Sequence, residues 1–177
     1  MALEYSSAIS EGAGVIGQST HSIAHARARK TYARITTSAA DTDDLVIAYF
    51  KSSDRILDIQ FYTNGGSTAG AFNLGLWTAD FSNGGTAITV VDADLYASAQ
   101  ATSTAILYGA AAITSIFRES AVLTDADRGN ALWAQAATGA GSDTTDPGVT
   151  YALVAEISTT INAATILTFD IDYIAGD

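Results

Sequence analysis

Two histidines four residues apart, His21 and His25, are the first residues whose type and spacing could do chemistry. On a helix they would share a face and supply half of a metal site. No carboxylate or third histidine is spaced nearby to complete it. "DTDD" (Asp41 to Asp44) and "DAD" (Asp92 to Asp94) offer oxygen ligands to a hard cation. The EF-hand frame is absent from the first. A loop counted from Asp41 has Val46 at the turn-glycine position and Ser52 at the bidentate-glutamate position. Turn-forming aspartates account for both stretches. "GAGVIG" (Gly12 to Gly17) has the letters of a dinucleotide fingerprint. It lacks the buried strand before it and the helix after it that would bring a pyrophosphate to a helix N-terminus. There is no cysteine and no G-x-S-x-G elbow. Among 19 acids some facing carboxylate pair is inevitable, so a glycosidase signal has no specificity. The expectation is a protein with no metal, no cofactor and no catalytic residues.

What remains is a charge anomaly. The chain has 8 Lys+Arg against 19 Asp+Glu, yet Arg27, Arg29, Lys30 and Arg34 all fall within "AHARARKTYAR", residues 24–34. Read as a strand, Arg27 and Arg29 share one face with Thr31, and Lys30 and Arg34 share the other with Tyr32. Neither face is apolar where the strand starts, so the stretch is not expected to enter its own core. Such charges guard a sheet edge. They can equally dock an acidic partner, a sister subunit included. Residues 129–177 contain six acids and no lysine or arginine, a complementary patch on the same chain. The expected contact residues are His21, His25, Arg27, Arg29, Lys30, Tyr32 and Arg34.

The elements that must position this cluster are short. Residues 1–25, rich in Gly and Ser, read as an extended N-terminal arm. Residues 26–177 read as one β-sandwich domain. "RKTYARITT" and "LVIAYF" suggest a hairpin across "SAADTDD". "RILDIQFYT" alternates, with Ile56, Asp58, Gln60 and Tyr62 opposite Leu57, Ile59 and Phe61. "AFNLGLWT" places Phe72, Leu74 and Leu76 on one face. "TAITVV" follows, and "DADLYASAQATSTA" reads as a short helix or a crossing loop. One helix is expected near 124–137, capped by Thr124, favoured by Asp125 and Asp127 at its positive end, and ended by Gly139. Leu132 and Trp133 would face the core, and burial is expected for Trp77 as well. "VTYALVAEIST" and "ATILTFDIDYIAG" close the chain. The second alternates cleanly, with Leu167, Phe169, Ile171 and Tyr173 on one side and Ile166, Thr168, Asp170 and Asp172 on the other. Seven or eight short strands with Gly/Asn/Ser loops predict a mainly β protein, an antiparallel, jelly-roll-like sandwich.

Composition agrees. A chain of 177 residues with 48% hydrophobic content can bury one sizeable core. A net charge of −11 argues against general nucleic-acid binding, which needs a basic stripe over much of a face. The absence of cysteine excludes a disulfide framework. No apolar run approaches the roughly 18 residues of a membrane span. "MALEYSSAISEGAG" lacks the basic and apolar regions of a secretory leader, so synthesis in a cytoplasm is expected.

The order "RILDIQF", "LGLW", "VDADLYASA", "LWAQA", within roughly residues 26–176, is similar to small virion structural proteins of tailed bacteriophages, of the head decoration (cement) type. The resemblance implies a jelly-roll-like sandwich on the outer capsid surface, often trimeric, with an extended terminus gripping the shell. It implies the major capsid protein and sister copies as partners, the virion as the location, and no catalytic residue. A tail or head-fibre module with a carbohydrate-binding face is the alternative, and an exposed Trp77 would favour it.

Overall fold

The computed structural model describes residues 3–5, 28–37, 43–82, 87–107, 115–117, 120, 122–124, 126, 127, 129–140 and 144–176, the first of these by backbone alone. Among the described residues are eight strands, arranged in two sheets, and one helix: β1 (Leu3–Tyr5), β2 (Ala28–Thr36), β3 (Asp44–Lys51), β4 (Arg55–Thr63), β5 (Ala71–Asp80), β6 (Ala87–Ala101), α1 (Leu132–Ala140), β7 (Thr150–Thr159) and β8 (Ile166–Ile174). The larger sheet has the order β1-β3-β7-β5-β6 and the smaller the order β2-β8-β4. Pairing is antiparallel except for β1 against β3. The chain passes from one sheet to the other at β1–β2, β2–β3, β3–β4, β4–β5 and β7–β8, a jelly-roll-like sandwich. Beside β4, two isolated bridges, Thr63 to Ile106 and Gln60 to Ser115, stand where a fourth strand of the smaller sheet would run.

Period-2 patterning builds the core. Leu167, Phe169, Ile171 and Tyr173 of β8 point inward and are buried, as their alternation predicts. Phe72, Leu74 and Leu76 of β5 are fully buried on the facing sheet. Phe72 meets Phe61 and Phe169 edge-on, with ring centroids 4.9 and 5.6 Å away, and Phe50 meets Tyr173 at 5.2 Å. These contacts join the sheets in the offset geometry that aromatic quadrupoles favour. Trp77 is buried, 7% exposed, in a smaller cluster with Val46, Ala152 and Val154.

Several local expectations change. β2 and β3 are not a hairpin, because they lie in opposite sheets. The alternation in β4 breaks at a bulge between Ile56 and Asp58, so Ile56 is buried together with Ile59 and Phe61 while Leu57 is exposed. "DADLYASAQ" is neither helix nor loop but the second half of β6. Register jumps there: Leu76 opposes Asp92 and Leu74 opposes Ala97. The extra residues carry Leu95 and Tyr96 into the core. Gly75 permits this, since a β-carbon there would collide with the Asp92 carbonyl.

The helix begins at Leu132 rather than Thr124. Thr124 closes a separate turn: its amide and hydroxyl donate to Asp127 Oδ2 at 2.9 and 2.6 Å. The helix N-terminus is satisfied by tertiary partners instead. The Leu132 and Trp133 amides donate to the carbonyls of Asp54 (2.8 Å) and Ser52 (3.1 Å) in the β3–β4 turn. Leu132 is buried, as expected, and Trp133 is half-buried. Gly139 lies inside the helix, where a β-carbon would strike the Asp92 carboxylate.

Asp44 heads β3 at 2% exposure, opposite Glu156 of β7. One of its carboxylate oxygens has no hydrogen-bond partner among the described residues. Burial, then the charges of Glu156 and Asp43, push its pKa up to about 6. The folded value exceeds the unfolded one, so this group's contribution to stability is complete at low pH and is lost as pH rises from about 4 through about 6. Asp44→Asn is therefore expected to flatten the fall in melting temperature across that range and to melt above the parent at pH 7.5. A wild-type slope retained in the variant would refute the assignment.

Candidate contact surface

Of the seven residues expected at the contact, His21, His25 and Arg27 lie outside the described residues, as do "GAGVIG" and most of residues 1–25, expected to form an arm. The structure places the other four on β2. This strand is an edge of the smaller sheet, paired with β8 over nine residues without a bulge, from Ala28–Ile174 to Thr36–Ile166. The expectation that β2 stays out of the core holds only for its start. Ala33 and Ile35 are buried, because from Thr31 onward small and β-branched residues occupy the inward face. Arg29 is half-buried on that inward side, in register with Tyr173, and its charge opposes the rise that burial gives the Tyr173 hydroxyl pKa.

Lys30, Tyr32 and Arg34 lie on the outward face, and all three are exposed. Their neighbours on β8 are Asp172, Asp170 and Thr168 in register. The Lys30 ammonium sits 2.8 Å from Asp170 and 3.9 Å from Asp172. Its hydrogen bond to Asp170 holds the ammonium pKa above the usual lysine value. Two of the acids that looked like a complementary patch for another molecule are thus answered by a strand of their own sheet. The polar row continues onto β4. Tyr62 donates to Gln60 at 2.7 Å, Gln60 donates to Asp58 at 3.4 Å, and Ser115 hydrogen-bonds Asp58.

Arg34 differs from Lys30. Among the described residues it makes no ion pair, because the residue beside it on β8 is Thr168. It borders an open groove of about 410 Å³ with Tyr32, Tyr62, Leu107, Ile166 and Thr168. Tyr32 is 54% exposed and Leu107 is 62% exposed, the two most exposed large apolar side chains among the described residues. Leu107 was invisible as a site residue. It comes to the groove because the Thr63–Ile106 bridge lays its segment against β4. Tyr32, Leu107 and Arg34, the last without an ion pair among the described residues, thus line one groove on the outward face of the smaller sheet.

The other sequence candidates resolve locally. Asp92 accepts the Asp94 amide at 3.2 Å within "DAD", and its pKa is raised, chiefly by burial. No cluster of three or more histidine, cysteine or carboxylate side chains fit for a metal occurs among the described residues. No helix among them is long and apolar enough to cross a membrane.

No family model matches the chain, and no curated protein matches it. Among solved structures it is similar to a chain described as "Cyanophage Pam1 capsid asymmetric unit". The two are 12% identical, with 90% of this chain and 96% of that chain covered and a TM-score of 0.43. A likeness at that level carries no argument about what this chain does.

The Lys30 ammonium faces solvent, which keeps its pairs of modest strength, although the Asp170 carboxylate beside it is largely buried. Lys30→Met is expected to lower stability by no more than about 1 kcal/mol, with the difference shrinking in 1 M salt. Denaturant melts at low and high salt check this. A salt-independent loss well above that figure would mean Lys30 supports the fold in another way.

Proposed function

We propose that the protein is a non-enzymatic bacteriophage capsid decoration (cement) protein, which binds the outer surface of the assembled head and stabilises it. The observation that carries this reading is the β2 side of the smaller sheet. Exposed Tyr32 and Leu107 and Arg34, which makes no ion pair among the described residues, line one groove that runs across the outward face of this sheet from β2 over β8 to the segment beside β4. The contact extends over His21, His25, Arg27, Arg29 and Lys30, with residues 1–25 as the arm that reaches along the shell beyond β1, which is seated on the larger sheet. The major capsid protein and sister copies, in a homotrimer, are the partners, and the virion surface is the location.

The physics of such a role is simple. A protein that binds only the assembled shell stabilises it by mass action. Repetition over a symmetric lattice multiplies weak contacts. An arm that orders on binding covers a large surface for few residues. A carbohydrate-binding fibre module is less favoured, because Trp77, the side chain that would have offered a sugar platform, is buried.

The test mixes purified protein with undecorated heads of the phage that encodes it. The protein is expected to sediment with the heads in a fixed ratio and to raise the temperature at which they release DNA. A chain lacking residues 1–25 is expected to bind at least tenfold more weakly. Full-length protein left in the supernatant would overturn the decoration reading. Equal binding by the truncated chain would overturn the role of the arm.

A further inference from the structure

The β2 edge away from β8 has a selectivity that its charges determine. In the smaller sheet β2 is bonded on one side to β8, and no described strand occupies its other side. An edge of this length, straight and without a bulge, is a template for one more strand. The first candidate for that place is a second copy of β2. Antiparallel pairing about a two-fold axis through Tyr32 would set Lys30 opposite Arg34 of the copy, and Arg34 opposite its Lys30. Like charges directly opposed on one face destabilise a pair. Self-pairing in that register is therefore disfavoured.

The two cations are not equivalent toward a different strand. Lys30 already faces Asp170 and Asp172 within the sheet. Arg34 faces Thr168 in register and makes no ion pair among the described residues, which leaves its guanidinium for an incoming carboxylate. The position two residues before it on the same outward face is the exposed Tyr32 ring. An added strand would meet a cation at one site and apolar surface at the next on the same face.

We propose that the β2 edge accepts, as an added strand, an extended segment of a different protein that places a carboxylate at Arg34 and an apolar side chain at Tyr32. Main-chain hydrogen bonds supply the pairing, and Arg34 sets the choice of partner. The proposal rests on reading this side of the molecule as its contact surface, and it adds how the partner is held and with what chemistry.

The probe is a nine-residue peptide of alternating threonine and valine with one central glutamate, compared with the same peptide carrying lysine. Binding is read by fluorescence anisotropy and by amide hydrogen exchange over residues 28–36. The net charge of −11 biases non-specific association toward the lysine peptide, so preference for glutamate reports the local edge. The glutamate peptide is expected to slow exchange in β2 and to bind at least fivefold more tightly than the lysine peptide. Arg34→Glu is expected to reverse that order, and Arg34→Gln to abolish the preference while leaving the melting temperature near that of the parent. Unchanged exchange in β2 with the glutamate peptide would overturn the proposal, as would a preference that survives Arg34→Glu. Either result alongside protein that still coats phage heads would leave the decoration reading standing and remove only the added strand.

Discussion

The contact between Phe72 of the larger sheet and the Phe61–Phe169 pair of the smaller is the constraint on which the rest of the molecule depends. It fixes which face of β4, β5 and β8 points inward. Since successive side chains alternate, it also fixes what each strand presents to solvent. Slipping β8 by one residue would carry Asp170 and Asp172 into the core and expel Phe169 and Ile171. The cost of burying unpaired carboxylates forbids that slip. The outward row of the smaller sheet, from Lys30 through Asp170 to Gln60, is thus a consequence of how the aromatic core is seated.

Seen this way, the clustered positive charge divides into parts with different work. Arg29 turns inward toward Tyr173. Lys30 balances acids on the neighbouring strand. Arg34 alone among the described three is left facing an open groove. An acidic chain with a short basic stretch can therefore keep most of its cations for its own sheet and still present one to a partner. The exposed Tyr32 and Leu107 give that cation an apolar setting, where a paired carboxylate is held more strongly than in open water.

Much of this was legible in the sequence, and the limits are physical. β8 and β5 obey a strict two-residue period, so their buried faces could be read directly. β6 could not be, because its path depends on Gly75 and Gly139, residues distant in sequence that leave room for Asp92. The helix start was misplaced because Thr124 and Asp127 form a good local turn, while the true N-terminal amides find carbonyls in the β3–β4 turn. The basic stretch was visible as a cluster. Its division was not, since the partners of Lys30 lie near the other end of the chain and become neighbours only through the β2–β8 register. Leu107 carried no signal at all, being one apolar residue in a stretch without clear periodicity.

The central claim is that the β2 side of the smaller sheet is the surface through which this protein holds other proteins. An electron cryo-microscopy map of decorated phage heads tests it most directly. The account predicts density from the shell or a neighbouring copy against Tyr32, Arg34 and Leu107. A map in which that side faces solvent, with the molecule held by another face, would contradict it.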